Sequence, residues 1–256
     1  MAIYENFVLE NKMTDIINTQ LAVNSLFTTD SSLSTAAGMK KIIHKYTYTG
    51  EVEKLAKGAE SSVFGAVDYV TTEYDIERFQ HAFKYNDVDV MTDPYWLDTA
   101  VDGAAKKVSN HIKQQYFDEL AKISNTHTVE AFNYDAVVDA LAAIDREVES
   151  DQFIIMGNDM KAAIRKDEDF KASRQGEILY TGQFGTICGV PCLFSKLVPE
   201  NTVYITAKDQ VTLFVKKDGI VEQERKMLSD ENIVKYERFG VMALTDETKS
   251  IKVVVG

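Results

Sequence analysis

The sequence is poor in the features that usually announce chemistry. It has two cysteines, three prolines and four histidines among 256 residues. Cys188 and Cys192 stand in a C-x-x-x-C spacing, not the C-x-x-C of thiol–disulfide exchange, and no second pair completes a zinc site. Both read as small buried hydrophobes in a strand pair, a use that suits a reducing compartment. No run of 18 apolar residues occurs, so no membrane-spanning helix is expected. The opening MAIYENFVLENK carries acids early and lacks the apolar stretch of a secretion signal. No G-x-x-x-x-G-K-[ST], G-x-G-x-x-G, G-x-S-x-G or H-E-x-x-H is found. Gly182-Gln183-Phe184-Gly185 is followed by neither a helix signal nor a Lys-Ser/Thr pair, and reads as turns between strands. His44 and His81 fall on expected strands and His111 on an expected helix; with His127 they share no metal-ligand spacing. No catalytic, cofactor-binding or metal residue is therefore assigned, and no enzymatic activity is expected.

What is present is acid. Forty Asp and Glu stand against 28 Lys and Arg, a formal net charge of −12. Tight binding of a nucleic-acid backbone needs clustered bases, so such a chain does not take nucleic acid as a direct ligand. Acidic pairs are frequent: Asp87/Asp89, Asp167/Glu168/Asp169, Glu222/Glu224 and Asp230/Glu231. With so many acids they are expected by chance, and they read as solvated faces. Glu222 and Glu224 lie on one face of an expected strand, where they would meet a basic neighbour.

The chain is organised around Pro94 to Ile123. Asp93 is placed to cap a helix whose first position is Pro94. Leu97, Val101, Ala104, Val108, Ile112, Tyr116, Leu120 and Ile123 recur at helical spacing, with Asp98, Asp102, Lys106, Asn110, Lys113, Asp118 and Lys122 opposite. The pairs Asp102/Lys106 and Asp118/Lys122 have the favourable acid-first order. About thirty residues make a rod of roughly 45 Å, against a usual helix of about 11–12 residues. Such a rod suggests a flattened subunit.

Before it, residues 1–40 read as an arm, with Phe7, Val8, Met13, Ile16, Ile17, Leu21, Val23 and Leu26 scattered among polar residues, a short helix over 12–22, and turn composition over Thr28–Gly38. Ile42, His44, Tyr46 and Tyr48 alternate as a strand that a charged tip returns to Val63–Val70. Residues 71–90 read as a strand bent near Arg78. After the rod, Asn133 is placed to cap a helix with the stripe Val137, Leu141, Ile144 and Val148. Phe153–Met156 suits a buried strand, Gly157-Asn158 a turn, Asp159–Lys166 a helix and Asp167–Gly176 a polar loop. Short strands follow to Phe194, then Val203–Ile205 and Val211–Val215. A turn at Asp218-Gly219, paired strands Ile220–Met227 and Ile233–Phe239, and last strands Val241–Leu244 and Ile251–Val255 complete an α+β chain.

Three stretches carry a resemblance: FIIMGNDMKAAIRK (Phe153–Lys166), GTICGVPCLFS (Gly185–Ser195) and ERFGVMALTDETKSIKVVV (Glu237–Val255). With the order of elements, they resemble the major capsid proteins of tailed bacteriophages, the Hong Kong 97-type fold. The resemblance implies an N-terminal arm over 1–40, an extended E-loop hairpin over 41–70, a peripheral P-domain with a long spine helix over 71–127 and 218–240, and an axial A-domain over 128–217 and 241–256. It implies a subunit that assembles into hexamers and pentamers of an icosahedral head, formed in the host bacterial cytoplasm and enclosing double-stranded DNA without sequence-specific binding. No cofactor is implied. A separate scaffolding protein (favoured by Met1), a portal and decoration proteins are the implied partners. The alternative is an encapsulin-like compartment packaging enzymes. Some members crosslink Lys to Asn; Lys54 and Lys57 lie in the hairpin tip, but no acceptor Asn is matched and the chemistry is not carried over.

Overall fold

A computed structural model describes residues 11–17, 26–58, 60–93, 95–144, 151–168 and 185–256. The expected contributions of Phe7, Val8, Leu21, Val23, Pro94, Val148, Asp169 and Gly182, and most of the loop after Asp167, lie outside these residues.

The long helix is real but shorter than its pattern. Residues 11–17 form helix α1, Asp87–Thr92 form α2 and Trp96–Leu120 form α3, 25 residues or about 37 Å. The last turn tightens: Lys122 N–H reaches Glu119 O and Ile123 N–H reaches Leu120 O, three residues back instead of four. At the start, Asp93 is not the cap expected: α3 begins at Trp96 after Tyr95, with no side-chain cap, and the Asp93 carboxylate accepts instead from Tyr95 N–H at 2.9 Å. All eight stripe residues are buried, and Ala105, Ser109, Phe117 and Glu119 widen the face beyond them. Among the described residues the two acid-first pairs do not close. Lys122 instead reaches Glu119 at 2.5 Å, and Gln114 donates to Asp118.

α3 lies on a four-stranded sheet of order β1-β10-β11-β4: Thr28–Asp30, Val211–Lys226, Glu231–Leu244 and Glu77–Asn86. Strand β4 turns Phe83 and Tyr85 toward α3, and β11 turns Val234 and Tyr236 the same way. The opposite face is charged. Lys235 pairs with Glu222 and Glu237, Arg78 with Glu237, and Glu231 with Lys84 and Lys226. The basic neighbour expected for Glu222 is thus the chain's own Lys235, directly across the strand pair.

A ribbon of β2 (Lys40–Thr49) and β3 (Ala66–Asp75) stands apart as its own two-stranded sheet. The second sheet has six strands, in the order β5-β12-β9-β6-β8-β7: Thr126–Val129, Ile251–Val255, Thr202–Ala207, Gln152–Met156, Val190–Phe194 and Thr186–Ile187. Helices α4 (Tyr134–Ala142) and α5 (Asn158–Lys166) cover one face through Val137, Ala140, Met160 and Ile164. The other face, with Phe153, Ile155 and Tyr204, meets the end of α3 at Tyr116 and Phe117. Covering on both sides explains why every residue of β6 is buried. Asn133 caps α4 as expected, accepting from Ala136 N–H at 2.9 Å.

Several boundaries moved, each for a local reason. Strand β3 runs to Asp75, past the expected hairpin limit at Val70, because Tyr74 and Ile76 join a small core with Ile43, Phe214 and Val241. The bend falls at Ile76, not Arg78. Residues 87–90, expected as the end of the strand over 71–90, belong to helix α2 because Asn86 and Asp89 form a capping box. Asp218-Gly219 is no hairpin turn: β10 passes through it as a bulge, with both residues set against Arg238 alone. A side chain at Gly219 would collide with the Tyr236 ring. The true turn is Met227–Asp230, with Asp230 at φ 49. Nor does Gly240 end β11; its missing side chain lets the strand pass Phe214 O, 2.8 Å from where a Cβ would lie. Within the turn-rich Thr28–Gly38, residues 28–30 pair in parallel with β10. Finally, Cys188 sits in the β7–β8 turn at φ 50 and is half-buried; only Cys192 is the buried strand cysteine expected of both.

Candidate assembly surfaces

The ribbon is rooted at one end only. Lys45 Nζ reaches Glu247 Oε1 at 2.9 Å, while Glu247 Oε2 accepts from Ser124 N–H (3.2 Å) and Oγ (2.9 Å). The Lys45 ammonium, with the two Ser124 donors, holds the Glu247 carboxyl below its ordinary range. Lys41 Nζ lies 4.2 Å from the Phe214 ring centre, and Ile76 N–H bonds Met39 O. Past Lys45 the ribbon leaves the body.

One face of that free part is aromatic. Strand alternation and the pairing of Tyr46 with Tyr69 and Tyr48 with Val67 put His44, Tyr46, Tyr48, Val67 and Tyr69 together. Ring centres of His44, Tyr46 and Tyr69 lie 5.7 to 6.1 Å apart. Tyr46 and Tyr48 are 68% and 70% exposed. The tip (50–65) adds Val52 and Phe64, the latter 85% exposed, and Glu53 draws it closed by accepting from Ser61 and Ser62. Two smaller patches stand elsewhere: Met227 with Leu228 at the β10–β11 turn, and Val88, Met91 and Tyr95 beside the start of α3. Soluble monomers rarely carry continuous apolar patches of this kind, whereas interfaces do.

Residues weighed as chemical candidates in the sequence do not converge. His44 contacts Tyr46, Tyr69 and Thr71 Oγ1, while His127 lies on a different sheet, in β5. His81 and His111 do share one cavity. No group of three His, Cys, Asp or Glu suited to a metal exists among the described residues. Asp87 accepts from Arg225 and Asn232, Asp89 serves the capping box and Asp167 accepts from Tyr134 N–H, so these acids are structural. Missed by sequence reading were Phe64, Met227 and Leu228. Each is a large apolar residue inside a turn-rich stretch, and that mismatch was the available signal.

No protein-family model matches the sequence, and no curated protein matches it. Solved structures do. The capsid of cyanophage P-SCSP1u superposes with a TM-score of 0.74 at 11% identity, over 90% of this chain and 86% of that one. A chain of Mycobacterium phage Che8 gives 0.65 at 14% identity, over 94% and 90%. A virus-like particle from Pyrococcus furiosus gives 0.65 at 11% identity, over 96% and 97%. The chain therefore has the mixed α+β fold found in phage capsids.

Proposed function

We propose that the protein is a structural subunit of an icosahedral tailed-phage head, self-assembling into hexamers and pentamers that enclose the double-stranded DNA genome. The observation that carries this reading is the ribbon: a rooted, aromatic-faced arm that its own chain does not cover, on a fold shared almost end to end with capsid subunits. In Hong Kong 97-type terms, 1–40 is the arm and 41–70 the E-loop. Residues 71–127 and 218–240 form the P-domain with α3 as spine, and 128–217 with 241–256 the A-domain. The E-loop lies on a neighbouring subunit and buries Tyr46, Tyr48, Tyr69 and Phe64 there. The paired Lys and Glu side chains on the outer face of the four-stranded sheet keep that face wet. The reading places the protein in the virion, assembled in the host bacterial cytoplasm, gives it no catalytic role, and implies scaffolding, portal and decoration proteins as partners.

The test is electron microscopy with light scattering on the purified full-length protein. Closed particles or capsomers are expected; dispersed monomers of 28.8 kDa under all conditions, with or without a scaffold partner, would refute the reading. A second reading, an encapsulin-like shell packaging cargo enzymes, draws on the likeness to the Pyrococcus furiosus particle. The long ribbon and the turn-rich Thr28–Gly38 favour the phage head. Native particles filled with DNA support the head; particles filled with protein support the compartment.

A further inference from the structure

Between α3 and the paired strands β4 and β11 lies a cavity of about 290 Å³. Against the acidic background of the chain its polar lining is Gln80 and five basic residues, Arg78, His81, Lys107, His111 and Arg238, with no acid among the lining residues, though Arg78 is paired with Glu237. Phe79 packs edge-on against the His111 ring at 5.3 Å. Arg238 is the notable member. It is only 7% exposed, and its Nε has no hydrogen-bond partner. The nearest carboxylate, Asp218 Oδ1, lies 3.7 Å from Nε, too far for a hydrogen bond, and its side chain is 79% exposed. Arg238 otherwise interacts with the Tyr236 hydroxyl. A buried guanidinium left without a full set of acceptors is costly to keep, because its lost hydration is not replaced.

We propose that this cavity binds a phosphate group. The free donors come from three elements: His81 on β4, Arg238 on β11, and Lys107 and His111 on α3, while Arg78 is held by Glu237. Convergence from several directions suits a tetrahedral oxyanion better than a planar carboxylate, which one guanidinium fork can satisfy alone. A water occupies about 30 Å³ of liquid, so the space admits a phosphate with part of its hydration. The open rim at Lys107 and His111 admits the group either as free phosphate or as part of a nucleic-acid backbone. The site stands on its own residues, whether or not the chain forms a shell.

The experiment is calorimetric titration of inorganic phosphate into the full-length chain at constant ionic strength, with chloride as control. Saturable binding is expected. Lys107→Gln, an exposed change, weakens it about tenfold, the loss of one charge-assisted contact. Lys106→Gln makes the same charge change outside the cavity and leaves binding intact, while Asp218→Asn, which removes the nearby competing carboxylate, strengthens it. Absence of saturable binding to the unaltered chain, or equal loss in Lys106→Gln and Lys107→Gln, overturns the proposal. A short DNA duplex that displaces phosphate from the unaltered chain but not from Lys107→Gln identifies the backbone as the source; a duplex that does not compete leaves free phosphate as the occupant.

Discussion

Val101 is the position at which the seating of the long helix can be measured. It is fully buried, at 0% exposure, within the cluster that joins α3 to Leu213, Val215, Val221 and Val234. Val101→Ala removes two methyl groups at about 0.8 kcal/mol each and leaves a small void, so the expected loss is about 2–3 kcal/mol. Val101→Asp adds the burial of a carboxyl with no partner, bringing the total to about 4–6 kcal/mol. A domain is usually stable by about 5–15 kcal/mol, so Val101→Asp has little or no margin left. Val108 would be a poorer choice, because it borders the basic cavity and an acid there would find Arg238. Urea titration of unassembled protein, read by circular dichroism, gives the numbers. The control is Lys106→Ala on the exposed face, expected within about 0.5 kcal/mol of the unaltered chain. A Val101→Ala cost below about 1 kcal/mol, or one equal to the control, would refute the reasoning that this stripe holds the rod to the sheet.

Other substitutions probe separate links. Gly103 is an exposed glycine inside α3 with nothing within 4 Å of an added Cβ, so Gly103→Ala should stabilise by about 0.5–1 kcal/mol and raise Tm by roughly 2–4 °C; a lower Tm would mean that the turn is under strain the alanine cannot share. Glu247 holds the ribbon base through Lys45, and its carboxyl is depressed in the folded state. Its contribution is therefore complete above the unfolded glutamate pKa of about 4.3 and disappears as pH falls through the lower folded value. The stability gap between the unaltered chain and Glu247→Gln should narrow below about pH 4, and hydrogen exchange in β2 should rise in the unaltered chain over the same range. A gap that is constant with pH would refute the role of this carboxylate.

The parts of the fold legible in sequence were those with one strong local cause. The eight-residue stripe of α3, the Asn133 cap and the apolar run of β6 each dictate their element without help. What stayed hidden depended on partners far along the chain. Asp218-Gly219 has the composition of a turn, and only the continued pairing of β10 with β11 makes it a bulge. Val88 and Val90 alternate like a strand, but the capping box of Asn86 and Asp89, in which the Asp89 carboxylate accepts from Asn86 N–H at 3.1 Å, starts a helix there locally. Phe64 fell inside the expected return strand Val63–Val70, but β3 begins only at Ala66, which leaves its ring in the exposed tip. The basic cavity could not be read at all. Its residues come from three elements, and their nearness exists only after folding.

Strand β5 pairs with β12, far along the chain, which bears on the order in which the six-stranded sheet closes. Thr126 lies beside Lys252 and Val129 beside Val255, so this strand finds its partner only far along the chain. Likewise β1 waits for β10, Thr28 for Thr212. Contacts this distant form late and slow folding. A chain ended at Ser250 should remain soluble only with chaperone help; a stable, well-folded product from it would show that β5 and β9 do not need the final strand.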